Sequence, residues 1–180
     1  MFFWPVSDIM PPFRMDGEPM SIVYMSQSLA SLSYLVLPQD TNPGGTLHGG
    51  RYLTLLDETA YAAAMKFCRR HILTGQFDGV LQKAVRRGQQ ITSRARVIYA
   101  GKSSMVIHVA AQGEDLRTGE CFPCAEAYFT CVAVEDETLL PVAVPTLAAQ
   151  TDEEKAWMEK GNAMAARFKE KLRQDDTDIE

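Results

Sequence analysis

Three successive stretches of this chain alternate apolar with small or polar residues, and that period of two limits the fold more than any other feature. In Ile91–Tyr99, one face carries Ile91, Ser93, Ala95, Val97 and Tyr99. In Ser104–Gln112, Met105, Ile107, Val109 and Ala111 share a face, and in Ala125–Val134 the set is Ala125, Ala127, Phe129, Cys131 and Ala133. Alternation of this kind marks half-buried β-strands. The links "AGKS" and "GEDLRTGE" are short enough for antiparallel neighbours. Upstream, a run from about His48 to Arg70 is rich in alanine, leucine and methionine and reads as one long helix. An antiparallel sheet wrapped around that helix is an α+β architecture.

The rest of the chain fits around this centre. Gln27–Leu37 is rich in β-formers and ends at the turn cluster "PQDTNPGG", while "HILTGQFDGVLQ" reads as a strand broken by glycine. Thr151 and Glu154 have capping-box spacing at the start of a charged C-terminal helix, with "DDTDIE" as a frayed tail. The expected organisation is an irregular arm over residues 1–24, a main domain over 25–146, and a helix and tail over 147–180.

At 180 residues, 46% hydrophobic and 23% charged, the chain has the size and composition of one globular domain. A net charge of −5 argues against nucleic acid or an anionic membrane as a partner. No apolar run reaches the roughly 18 residues needed to span a bilayer. The N-terminus lacks a basic region followed by a continuous apolar run, so no signal peptide is expected and the cytoplasm is the expected compartment. Cys121 and Cys124 form a C-x-x-C with no second pair, and Pro123 sits between them in a strand pattern. The four cysteines are expected to be ordinary reduced thiols, with no metal site.

The long helix holds two adjacent acids, Asp57 and Glu58, which a helical wheel separates. Leu53, Leu56, Ala60, Ala63, Ala64 and Phe67 gather on the expected core face, and Glu58 lies beside Arg51 and Arg69 on the polar side. Asp57 has Leu53, Ala60, Tyr61 and Ala64 as helical neighbours, which puts it on the edge of the apolar face. A carboxylate so placed is costly unless paired, hydrogen-bonded or used. It can serve as general base, nucleophile or water-orienting acceptor, or simply accept hydrogen bonds from a loop or another subunit. Just upstream, "GGTLHGG" places Gly49 and Gly50 where free N–H groups and the positive end of the helix dipole suit an oxyanion or a polarised carbonyl. Together these elements are expected to flank one carbonyl. His48 reads as a packing or helix-start residue in preference to a catalytic base, since no serine nucleophile motif accompanies it.

Taken together, "P-x-D-T-N-x-x-G-T-L-H-G-G", "L-L-D-E-x-A-Y-x-A-A", "YAGKSSMVIHV", "AEAYFTCVAV" and "LLPVAVPTL" give the chain a resemblance. From about residue 27 to 170 it resembles the hotdog-fold acyl-CoA thioesterases, in their cytosolic long-chain acyl-CoA hydrolase branch. The resemblance implies a helix wrapped by an antiparallel sheet, dimers whose sheets join, and further assembly into hexamers. It also implies hydrolysis of fatty acyl-CoA to free acid and coenzyme A without metal or other cofactor, coenzyme A entering only as part of the substrate, at sites between two protomers. By position, Asp57 matches the acid that activates or orients water, and Gly49 and Gly50 match the backbone that polarises the thioester carbonyl, beside His48 in the substrate-binding set. Asn42 and Thr46 fall in a loop with a polar residue facing the site; many relatives have asparagine where Thr46 stands, a departure here. Gly101, Lys102, Ser103 and Ser104 match the loop that holds the coenzyme A nucleotide. A hotdog protein that binds acyl-CoA without hydrolysing it is the alternative, one that would not need the acid on the helix.

Overall fold

The computed structural model describes residues 21–177, with side chains through residue 170. The chain runs β1 (Ile22–Tyr24), β2 (Ala30–Leu35), α1 (Gly49–Cys68), β3 (His71–Leu81), β4 (Gln90–Ala100), β5 (Ser104–Asp115), β6 (Glu120–Val134), β7 (Thr146–Ala148) and α2 (Asp152–Thr177). Five strands form one antiparallel sheet in the order β2-β4-β5-β6-β3. The alternating segments are its centre, and their apolar faces converge on α1. Leu55, Leu56, Ala60, Ala63, Ala64 and Phe67 are buried against Ile91, Val97, Ile107, Val109, Ala127 and Phe129. Each large side chain among them contributes about 1.5–3 kcal/mol by leaving water. Small residues at 60, 63 and 64 let the helix lie close to the strands.

The opposite face of the sheet is covered in part by α2. Thr151 caps it, its Oγ1 accepting from Glu154 N at 3.1 Å, while Glu154 Oε2 accepts from Gln150 N at 2.6 Å. Gly161 is the point of closest approach, for a Cβ there would overlap the carbonyl of Ile98. Ile98 lies where the β4–β5 register shifts, and it is buried under α2 with Val106 and Ala165. His108 is also buried on this side: its Nε2 lies 3.1 Å from Glu126 Oε1 and its ring stacks on Trp157 at 4.2 Å.

Several local expectations change. Residues 22–24 are not irregular, because β1 pairs in parallel with β7, the strand just before α2; residues 1–20 of the expected arm lie outside the described residues. Met25–Ser28 is a turn of 3-10 helix, since Ser28 Oγ turns back to Met25 O at 2.7 Å and accepts Val97 N at 3.0 Å, so β2 starts only at Ala30. Gly75 does not break its strand but forms a bulge between Thr74 and Gln76, after which pairing with β6 resumes. Leu53 is 38% exposed and not part of the core, whereas Tyr52, Leu55 and Thr59 are buried. The core arc is thus turned by about one residue from the wheel's. The helix α2 also extends through residue 177, into the stretch expected to fray.

All four cysteines are free, with only Cys121 exposed. No helix among the described residues is long and apolar enough to cross a membrane. The strand β3 is an edge, and Leu73, Phe77, Val80 and Leu81 on it are exposed. A long edge strand with apolar side chains is a template for pairing with another chain.

Candidate active site

The loop before α1 is built by Asn42. Its Oδ1 accepts from Gly44 N at 2.9 Å and Thr46 N at 3.3 Å, and its Nδ2 donates to Thr46 Oγ1 at 3.0 Å. Gly45, at φ +75°, needs the left-handed region that glycine enters without strain. The loop is tied to the segment before β4 by Leu47 N→Val85 O at 2.8 Å and Arg87 N→Gly45 O at 3.2 Å. Arg86 and Arg87 therefore stand beside this glycine loop. His48 is the N-cap of α1, its Nδ1 accepting from Gly50 N at 3.1 Å. That bond occupies the Gly50 N–H, one of the donors expected to face a carbonyl. Beside Gly49, a Cβ would meet only open space.

Asp57 lies in the middle of α1, half-buried, and Thr74 Oγ1 of β3 donates to its Oδ1 at 3.0 Å. Thr74 is exposed, so the pair opens on the uncovered side of the protomer, between exposed Leu53 and Tyr61. Behind it lies buried Cys131, whose Sγ is 3.9 Å from Thr74 Oγ1. Burial, with the Asp57 charge nearby, pushes the Cys131 thiol up to about 12, so it stays protonated. Glu58 is solvated and lies 3.8 Å from Arg51, as the wheel implies. A second acid, Asp40, had no sequence signal beyond a turn. It is buried and accepts from Tyr34 Oη at 3.0 Å and Leu37 N at 2.9 Å, a structural role for a carboxylate.

Gly101 to Ser104 make the β4–β5 hairpin turn, closed by Gly101 N→Ser104 O at 2.8 Å. Lys102 is exposed there, and its carbonyl accepts from Val144 N at 3.0 Å. The turn lies beside the C-terminal end of β6, since Ser104 pairs with Val132 and Met105 with Cys131.

The structure brings Asn42, Thr46, His48, Gly49 and Gly50 together at the start of α1, but does not bring Asp57 to them. Gly50 and Asp57 are seven residues apart on one helix, about 10 Å of axial rise at ~1.5 Å per residue. That rise sets the helix-start N–H groups almost two turns from Asp57 along α1. Within this chain the helix start and Asp57 are therefore two separate clusters.

This sheet-and-helix frame with a carboxylate in mid-helix is that of a known class. The thioesterase superfamily model matches residues 44–120. The chain is 32% identical to the cytosolic acyl coenzyme A thioester hydrolase of Rattus norvegicus over 171 residues, 93% of this chain and 44% of that protein. It thus spans about half the length of that relative. Acyl-CoA hydrolase from Staphylococcus aureus, solved with butyryl coenzyme A, coenzyme A and coenzyme A disulfide, superposes with a TM-score of 0.80 at 30% identity, covering 88% of this chain and 96% of that one. An apo-hexameric acyl-CoA thioesterase superposes with a TM-score of 0.80 at 31% identity over 85% and 98% of the two chains. The chain belongs to the thioesterase superfamily and has its hotdog fold.

The staphylococcal enzyme has also been solved with an asparagine, an aspartate or a threonine changed to alanine. Those three positions fall along that chain at the same intervals as Asn42, Asp57 and Thr74 along this one. By that spacing the asparagine is present here as Asn42, and Thr46 is the residue that holds its amide. Sequence reasoning passed over Thr74, whose only sequence signal is a hydroxyl just before Gly75.

Proposed function

We propose that this chain hydrolyses acyl-CoA thioesters at a site made by two protomers. One protomer contributes Asp57 and Thr74, and its partner contributes Asn42 and the helix start at Gly49, the Gly50 N–H being held by His48. The observation that carries this reading is the half-buried Asp57 carboxylate, hydrogen-bonded to Thr74 on an uncovered face and almost two turns along α1 from its own helix start. Association through the bare β3 edge brings two such faces together, and hexameric relatives support an assembly built from such dimers.

In the reaction, Asp57 orients water and takes its proton as the oxygen attacks the thioester carbonyl carbon. The carbonyl oxygen becomes an oxyanion held by helix-start N–H groups and the Asn42 amide. Collapse of the intermediate breaks the C–S bond, and the leaving thiolate takes the proton from Asp57. Fatty acid and coenzyme A leave, and coenzyme A enters only as part of the substrate. Lys102 and the Gly101–Ser104 turn hold nucleotide phosphates through the ammonium and turn N–H groups. The rat relative's cytosolic setting supports a cytoplasmic place for this chain as well.

The test is thiol release from acyl-CoA of graded chain length, with Asp57→Asn beside the wild type. Turnover in Asp57→Asn should fall by roughly 100-fold or more, with acyl-CoA still bound. Full turnover in that variant overturns the mechanism. No release from any acyl-CoA by the wild type leaves a binding protein instead.

A further inference from the structure

Thr74 Oγ1 has two neighbours of different character: Asp57 Oδ1 at 3.0 Å and Cys131 Sγ at 3.9 Å. A hydroxyl has one proton and two lone pairs, while an ionised carboxylate only accepts. The Thr74 proton therefore goes to Asp57, and the sulfur contact must run from the Cys131 S–H to the Thr74 oxygen. The thiol is in the right state for this, since burial keeps it protonated. Cys131 is wholly buried and stands directly opposite Thr74 in the β3–β6 register, one step before the Gly75 bulge interrupts it. Its other sulfur neighbour, Cys68, donates instead to Arg70 O at 3.8 Å and does not compete for the thiol proton.

We propose that Cys131 is a positioning residue for the hydrolysis, its S–H holding the Thr74 hydroxyl so that the Thr74 proton stays aimed at Asp57. The inference rests on the catalytic reading of Asp57. Thr74 is on an exposed strand edge beside a bulge, where its side chain can otherwise turn to water. A buried donor behind it selects the one rotamer that serves the carboxylate. The thiol does not touch substrate; its effect passes through Thr74 alone.

The test uses the assembled enzyme and three variants. Cys131→Val fills the site without a donor and Cys131→Ala leaves it empty. Cys131→Ser supplies a stronger donor. Val and Ala variants should lose roughly fivefold in kcat, the size of one weak hydrogen bond, with KM unchanged. The Ser variant should keep wild-type kcat even where its thermal stability is lower. In a Thr74→Val background, Cys131→Val should cost nothing further in kcat, because the residue it acts through is gone.

Wild-type kcat in Cys131→Val, or the same loss with and without Thr74, overturns the proposal. So does a kcat that follows thermal stability across the three variants. If Asp57→Asn is inactive while Cys131→Val is fully active, only this inference falls. If Asp57→Asn is itself fully active, the hydrolytic mechanism falls with it.

Discussion

Gly161 of α2 rests directly on the carbonyl of Ile98 in β4, with no room for a Cβ between them. Glycine inside a helix costs about 1 kcal/mol relative to alanine, so the close contact must outweigh that cost. Gly161→Ala should therefore destabilise the protein, by roughly 1–3 kcal/mol as the helix is pushed off the sheet. Urea denaturation measures it. An unchanged or raised midpoint would show that α2 can shift freely.

Thr74→Val keeps the shape of the side chain and removes the donor to Asp57. Turnover should fall by roughly tenfold, the scale of one hydrogen bond to a charged group, with KM nearly unchanged. Steady-state thiol release separates the two constants. A change in KM alone would assign Thr74 to binding.

His48 caps α1 through Nδ1 and has no other part in the proposed chemistry. Its replacement by alanine should cost about 1 kcal/mol of stability, and His48→Asn should restore most of it. Both variants should still release thiol. Loss of activity by 100-fold or more in a folded His48→Asn would instead make it a base.

His108 gives a pH signature. Burial between sheet and α2 lowers its pKa from 6.5, Arg96 and Lys160 add to this, and Glu126 opposes it. Below about pH 6.5 the unfolded chain binds a proton that the folded ring resists, so stability should fall as pH drops through that value. Glu126 is shifted downward, first by Tyr128 and also by His108. Its stabilising contribution is present above its unfolded value of 4.5 and is lost only at lower pH. Thermal melts between about pH 5 and 8 thus isolate His108, and His108→Gln should flatten the profile.

The parts of this architecture readable from the chain are those with a local cause. Ile107 and Phe129 face the core because alternation fixes a strand's inner side, and His48 caps α1 because the glycines after it leave N–H groups to be satisfied. Leu53 was misplaced because a wheel gives angles and not where the neighbouring sheet stops. Gly75 read as a break because a missing side chain looks alike in a bulge and in a turn, and only the β6 ladder tells them apart. Asp57 stood out by its apolar neighbours. Thr74, which binds it, could not, since the two meet only when β3 folds back beside α1.

The seven-residue separation of Gly50 and Asp57 has a consequence for heredity as well as chemistry. In the proposed dimer each reaction centre draws its acid from one chain and its asparagine from the other. A chain with Asp57→Asn and a chain with Asn42→Ala are each inactive alone. Paired in one dimer, they leave both lesions in one centre and neither in the other. Two defective alleles would then complement, and co-expressed chains would recover up to half the activity of the intact enzyme in every mixed pair.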